Sequence, residues 1–258
     1  VFTLLIVGCG VLGLVIGSFL NVVIYRVPLH MSIVSPRSSC PSCHTPILER
    51  DNVPILSWLL LRGKCRTCRT PISVRYPFVE SACGGLFAGV AAREGFNWDV
   101  PALLIFVAGL LALASIDLER LILPKSIVYT TLVLLVVALV LDAGVTHEWH
   151  RLLIAGLCAA GWFIVFFTLN FVGPRYLGFG DVRLAPVLGL ALGWLGIRYV
   201  ILGFFAANLV GAVIGITLIA MKKMSRDQPI PFGVFLSLGA VIAIYAGPEL
   251  LIPFRRFS

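Results

Sequence analysis

Two aspartates stand at the edges of long apolar runs. Asp117 closes the run from Pro101 to Ile116, and Asp181 follows Gly178-Phe179-Gly180 and opens the run from Val182 to Leu195. An ionisable side chain at a membrane span is costly, and it marks a candidate functional site. Two carboxylates held close cannot both ionise, so the pair keeps a single proton and offers a base and an acid at one pH. The ionised member can take a proton from water as the water attacks an amide carbonyl. The protonated member polarises that carbonyl, and a proton then passes to the leaving amine. No covalent intermediate is needed, and the pair titrates as a unit rather than as two separate residues.

The glycines before Asp181 fit this chemistry. Gly178 and Gly180 are expected to let the backbone turn sharply and approach another backbone or a substrate closely. The competing reading of each aspartate is a helix-terminal charge in headgroup water. It suits Asp181, an acid at a helix N-terminus, and suits Asp117 badly, because an acid at a C-terminus opposes the dipole. Asp99 and Asp142 fit the solvated pattern and are assigned no chemistry. Glu119, two residues past Asp117, is either solvated or a substitute for it.

Four cysteines form a second constellation. Cys40 and Cys43, and Cys65 and Cys68, are two Cys-x2-Cys pairs with 21 residues between them. Four thiolates so spaced match a tetrahedral zinc site that is structural and closed, so the metal is not expected to carry out hydrolysis. No His-Glu-x-x-His string occurs. A disulfide framework is the alternative, disfavoured by a cytoplasmic setting. His44 is read as a bystander, and Cys9, Cys83 and Cys158, within apolar runs, as small hydrophobes.

These residues need a scaffold, and the composition says which kind. Of 258 residues 59% are hydrophobic and 12% charged, with mean hydropathy +1.02. A soluble domain carries about twice that share of charge. The expectation is an all-α polytopic membrane protein with about eight transmembrane helices and a small cytoplasmic four-cysteine zinc domain. Apolar runs place spans near 2–25, 76–92, 100–117, 123–142, 151–172, 182–196, 198–220 and 231–252. The first run is too long for the apolar core of a signal peptide and reads as a retained span. Three regions follow: a first helix (1–25), a zinc-binding domain (26–75) and a membrane core (76–258).

Charge sets the expected orientation. Residues 26–75 hold eight basic side chains, Arg26, Arg37, Arg50, Arg62, Lys64, Arg66, Arg69 and Arg75, against two acidic ones, Glu49 and Asp51. With the N-terminus outside, 15 of the 20 Lys and Arg residues face the cytoplasm, as the positive-inside rule asks. The net charge of +8 is thereby explained without nucleic acid, for which no motif is found. Asp117 then ends the third span and Asp181 begins the sixth, both at the cytoplasmic face. That shared depth argues against the alternative of a channel or transporter using the acids as ion sites, which would sit near the midplane.

Several strings in order carry a resemblance. They are Gly17-Ser18-Phe19-Leu20-Asn21 running on to Arg26-Val27-Pro28, the cysteine module, Asp51-Asn52-Val53-Pro54-Ile55-Leu56-Ser57-Trp58, and Ile72-Ser73-Val74-Arg75-Tyr76-Pro77. Ile116-Asp117-Leu118 with Leu123-Pro124, Gly178-Phe179-Gly180-Asp181 and Ile230-Pro231-Phe232-Gly233 follow. In their order, and in the 64-residue step between the aspartates, the chain resembles the type IV prepilin leader peptidase/N-methyltransferase family of bacterial aspartyl membrane proteases. The resemblance implies prepilin or pseudopilin substrates of type IV pilus, type II secretion or competence systems, cleaved at the cytoplasmic face of the inner membrane after a basic leader. It also implies methylation of the new N-terminus from S-adenosylmethionine, for which the residues themselves offer no motif. Two positions depart from the family pattern: Lys125 stands where an aspartate is usual, and Val234 where many relatives have proline.

Overall fold

A computed structural model describes residues 1–173, 177–223 and 230–250. The end of the last expected span and the string Pro253-Phe254-Arg255-Arg256 lie outside the described residues. Among the described residues, eight long helices form where the apolar runs place them: α1 (Phe2–Arg26), α3 (Arg75–Glu94), α4 (Val100–Arg120), α5 (Lys125–Thr146), α6 (Trp149–Val172), α7 (Phe179–Leu195), α8 (Ile197–Ala220) and α9 (Phe232–Leu250). One short helix, α2 (Leu56–Leu60), lies within the cysteine-bearing segment. Five of the long helices, α1, α4, α5, α6 and α8, are long and apolar enough to cross a membrane. Of the others, α7 has 17 residues, and α3 carries Arg75, Glu80, Arg93 and Glu94. Large apolar side chains such as Leu4, Leu141, Leu157, Phe171, Leu209 and Ile216 are exposed. On a multi-pass membrane protein these are the surfaces that meet lipid tails.

The chain divides into two compact units, Val1–Phe96 and Asn97–Ser258. In the first, α1 and α3 run antiparallel, pressed together where α1 has no side chain. A Cβ on Gly13 would lie 2.7 Å from the Cys83 carbonyl, and one on Gly17 would lie 2.7 Å from Glu80 Cα. In a bilayer, lipid tails are as apolar as leucine, so close packing at small residues is what holds two helices together. Between these helices the chain from residue 27 to 74 forms the cysteine module.

In the second unit, α4 and α7 are the inner helices. Of the most apolar stretch of α4, 61% is buried, against 22% for α8. Most of α7 is buried from Asp181 to Trp194, and it packs on α4, α5, α6, α8 and α9. Its contact with α6 is again glycine against backbone: a Cβ on Gly189 would sit 2.6 Å from the Cys158 carbonyl. The two helices that carry the candidate acids are thus deeply enclosed within the second unit.

Candidate functional site

Asp117 is three residues from the C-terminal end of α4 and is buried, as is Asp181 in the first turn of α7. The two carboxylates lie within electrostatic reach of one another. The chain ends α4 with Leu121 in the left-handed conformation, its N–H donating to the Asp117 carbonyl at 2.8 Å. It then returns through Leu123-Pro124 into α5. Glu119, the residue that could have replaced Asp117, is exposed.

A third helix completes the setting. Val234 N–H, in the first turn of α9, is shared between Asp117 Oδ2 at 3.3 Å and the Pro231 carbonyl, outside the helix, at 3.2 Å. The first N–H groups of a helix lack partners within it, and a carboxylate there also meets the positive end of the dipole. Asp117 is therefore held by the start of α9 rather than opposed by the end of α4. Gly233 allows this approach, since a Cβ there would stand 2.9 Å from Asp117 Oδ2 and 3.1 Å from Leu123. Leu123 also fills the space above Gly180, where a Cβ would meet it at 3.0 Å. One leucine thus wedges the starts of α7 and α9 around the acids.

The glycines before Asp181 differ from expectation. Neither adopts a positive φ. Gly178 caps α7 with extended backbone (φ −68, ψ 143), and its carbonyl accepts from Asp181 N–H at 3.1 Å. A Cβ on Gly178 would meet Asp181 Oδ2 at an ordinary 3.4 Å and Gly180 N at 3.9 Å. Close approach to Leu123 at Gly180, not a sharp turn, is what glycine supplies here. One oxygen of the Asp181 carboxylate, Oδ1, is buried without a hydrogen-bond partner among the described residues.

Leu123, Gly233 and Val234 have no chemistry of their own, so residue type alone could not single them out. The signal was positional, in the strings Leu123-Pro124 and Phe232-Gly233. Asp99 and Asp142 also depart from expectation, because both are buried rather than solvated. Thr146 Oγ1 lies 3.3 Å from Asp142 Oδ1 and donates to the Asp142 carbonyl. Lys125 is the exposed first residue of α5.

In the first unit the four cysteines converge. Sγ of Cys40 and Cys68 are 3.7 Å apart, those of Cys43 and Cys65 are 4.0 Å apart, and all four lie within 4.8 Å of one another. A tetrahedron of thiolates about 2.3 Å from a zinc ion has edges of about 3.8 Å. The cluster therefore fits a metal of that size, and none of the four is in a disulfide. His44 stands outside the cluster.

Each pair sits in the same knuckle. Cys40 N–H donates to Thr45 O while His44 N–H returns to Cys40 O. Cys65 N–H donates to Thr70 O while Arg69 N–H returns to Cys65 O. The sequence shows why: both knuckles read Cys-x2-Cys-x-Thr-Pro-Ile, at Cys40–Ile47 and Cys65–Ile72. The threonine hydroxyls lie 3.3 Å from Cys43 Sγ and 3.2 Å from Cys68 Sγ. Hydrogen bonding by Thr45 lowers the Cys43 thiol below its ordinary range, and Thr70 brings Cys68 down to about 6. Both shifts favour the thiolate a metal needs. Arg66, within the second knuckle, forms a bidentate pair with Asp51 at 2.8 and 2.6 Å, and this holds the Asp51 carboxyl below its usual value.

Helices long and apolar enough to span a bilayer, buried acids at the ends of two of the helices and a four-cysteine module together define a multi-pass membrane protein with a candidate acid–base site. Comparison with known proteins narrows that class. The family described as "Bacterial Peptidase A24 N-terminal domain" matches residues 11–93, and "Type IV leader peptidase family" matches residues 104–216. A protein of Stutzerimonas stutzeri named prepilin leader peptidase/N-methyltransferase is 35% identical, over 96% of this chain and 93% of its own. Proteins of the same name from Myxococcus xanthus and Bacillus subtilis are 42% identical (81% of this chain, 62% of theirs) and 31% identical (93% and 94%). No solved structure matches the chain. The chain belongs to the type IV leader peptidase family.

Proposed function

We propose that this protein is a membrane aspartyl endopeptidase that removes the basic leader of type IV prepilins or pseudopilins, with Asp117 and Asp181 as its catalytic pair. The observation that carries the reading is the pairing itself: two acids 64 residues apart in sequence, both buried, within electrostatic reach at the ends of different helices. Like charges so placed share one proton. One carboxylate accepts a proton from the attacking water, and the other donates to the scissile carbonyl and then to the leaving amine. Val234 N–H holds Asp117 in place while the proton moves.

The relatives' shared name also supports a second activity, N-methylation of the new N-terminus with S-adenosylmethionine as donor. The four cysteines would hold a structural zinc ion that ties both knuckles into one module. The split of basic residues supports a bacterial inner-membrane location with the N-terminus outside and the module in the cytoplasm. The channel or transporter alternative draws no support from the relatives.

Mass spectrometry of a co-expressed prepilin tests the reading directly. The wild-type protein is expected to yield a product lacking its leader. Asp117→Asn and Asp181→Asn are each expected to leave the substrate whole while the variant still inserts. Full cleavage by either variant overturns the pair.

A further inference from the structure

Besides Asp99 and Asp142, the aspartate pair and the cysteine cluster leave one further buried acid unused. Glu80, in α3, is 7% exposed, and its hydrogen bond among the described residues comes from Ile55 N–H to Oε2 at 2.7 Å. No cation pairs with it among the described residues. One neutral donor does not compensate a carboxylate withdrawn from water, since buried charges are normally paired. Across the seam on α1, Asn21 is 2% exposed. Its Nδ2 donates to the Tyr76 carbonyl at 3.1 Å, and its Oδ1 has no partner among the described residues.

These groups share one place. Gly17 faces Glu80 across the helix seam, and Asn21 faces Tyr76. Asn21 and Glu80 are therefore diagonal neighbours, about one helical turn, or 5.4 Å, apart along the seam. This is the end of the seam from which the cysteine module emerges. The module reaches back to it through Ile55, whose φ is +60. A β-branched residue in that region is a strained outlier, and strain of this kind gathers at functional sites. The strained residue is the one whose N–H meets Glu80, inside the Asp51–Trp58 string that neither the acid pair nor the metal explains.

Both open groups are acceptors. A carboxylate and a carboxamide oxygen together ask for a cationic nitrogen with several N–H donors. We propose that Asn21 and Glu80 form a binding site for a primary ammonium, and that this is the amine which receives the methyl group. The assignment rests on the methyl-transfer reading above. Glu80 takes the proton the ammonium must lose. The methyl carbon then passes from the sulfonium sulfur of the donor to the freed nitrogen, and the sulfur leaves as a neutral thioether. Glu80 is thus a group that touches substrate, and Asn21 orients the amine.

Glu80→Gln tests this, because the amide oxygen still accepts from Ile55 N–H and only the charge is lost. In the full-length protein with a co-expressed prepilin, leader cleavage is expected to stay within about twofold of wild type, and the methylated fraction to fall at least tenfold. Binding supplies a second readout. A synthetic peptide with the mature N-terminus is expected to bind wild type better with a free than with an acetylated α-amine, and Glu80→Gln is expected to lose that preference. Equal methylation by both proteins, or a preference that survives in the variant, overturns the site. Weaker donor binding with an unchanged peptide preference overturns the assignment to the acceptor amine and gives the ammonium to the donor instead. A wild-type product that stays unmethylated with donor present overturns methyl transfer itself. If Glu80→Gln fails to accumulate, Asn21→Ala carries the same comparison, since it removes the unpartnered oxygen and leaves the Glu80–Ile55 contact.

Discussion

The cysteine module and the aspartate core are built by opposite routes. Each knuckle of the module closes on itself within eight residues, from Cys40 to Ile47 and from Cys65 to Ile72, with the same backbone hydrogen bonds in both. The setting of Asp117 has no local closure of that kind. Its carboxylate is fixed by Val234, 117 residues away, and its surroundings by Leu123 and Gly233. A metal centre needs only four ligands at the right spacing, and local turns can supply that. An acid pair needs two charges held against their own repulsion, and only packed helices supply it. The module should therefore tolerate change outside its knuckles, whereas the acid site should respond to packing changes far along the chain.

The largest test of this difference removes a charge without moving an atom. Asp117→Asn keeps an oxygen able to accept from Val234 N–H, and Asp181→Asn keeps the shape of the α7 start. Loss of a general acid or base costs about 10²–10⁴ in rate, and a shared-proton pair loses both roles at once. Rates of leader removal in detergent, with circular dichroism to verify the fold, are expected to fall by at least about 10³. A variant within tenfold of wild type would place the chemistry elsewhere.

The next test asks whether packing alone can break the acid site. Gly233→Ala puts a methyl 2.9 Å from Asp117 Oδ2 and 3.1 Å from Leu123, so carboxylate and leucine must move. A displacement on the order of 1 Å can cost about 10²-fold, and that is the expected fall in cleavage. Gly178→Ala is the control. Its backbone is extended and its nearest neighbour stands at 3.4 Å, so activity within about threefold of wild type is expected. Equal losses at the two glycines would show that any change near the acids is harmful and would remove Gly233 from the site.

This contrast also explains what could be read from the sequence. The eight long helices were legible because apolar runs of that length have few other uses. The cysteine cluster was legible because two Cys-x2-Cys pairs can bring four thiols together. The acids were legible only as misplaced charges. Their burial, their mutual reach and the role of Val234 depend on contacts between helices that no local pattern records. The same blindness explains Asp99 and Asp142, which look like solvated helix ends and are buried. It also explains Gly180, whose use is set by Leu123 rather than by its own backbone angles.

Removing the metal should break the module and spare the helices. Elemental analysis of the purified protein is expected to give about one zinc per chain, as four thiolates imply. A domain of this size has too small a core to fold without a staple. A strong chelator, or Cys40→Ser, is therefore expected to open residues 27–74 to protease while the helical signal of the remainder persists. Unchanged resistance after metal loss would mean that hydrogen bonds such as Arg66–Asp51 hold the module unaided.

The smallest effect sharpens the comparison most, because it reaches into one knuckle. Thr70 holds the Cys68 thiol at about 6, below the ordinary 9.0. A depressed value means that the folded module favours the thiolate. That contribution is present above the ordinary thiol range and is lost as pH falls through about 6. Metal retention has the same sign, since protons compete with the ion for each sulfur. The wild-type module is expected to keep its metal at neutral pH and release it on acidification. Thr70→Val removes the hydroxyl that stabilises the thiolate, so the release midpoint should move up by less than about one pH unit. Thr45→Val should act in the same direction at Cys43, whose thiol is also lowered by its threonine. Because the knuckles repeat one another, the two substitutions should give shifts of the same sign, and the double variant a larger shift than either. A metal-sensitive dye followed through a pH titration reads all three. A midpoint that stays fixed in both single variants would show that the cysteines and their backbone turns set the affinity, and that the repeated threonine serves only the fold.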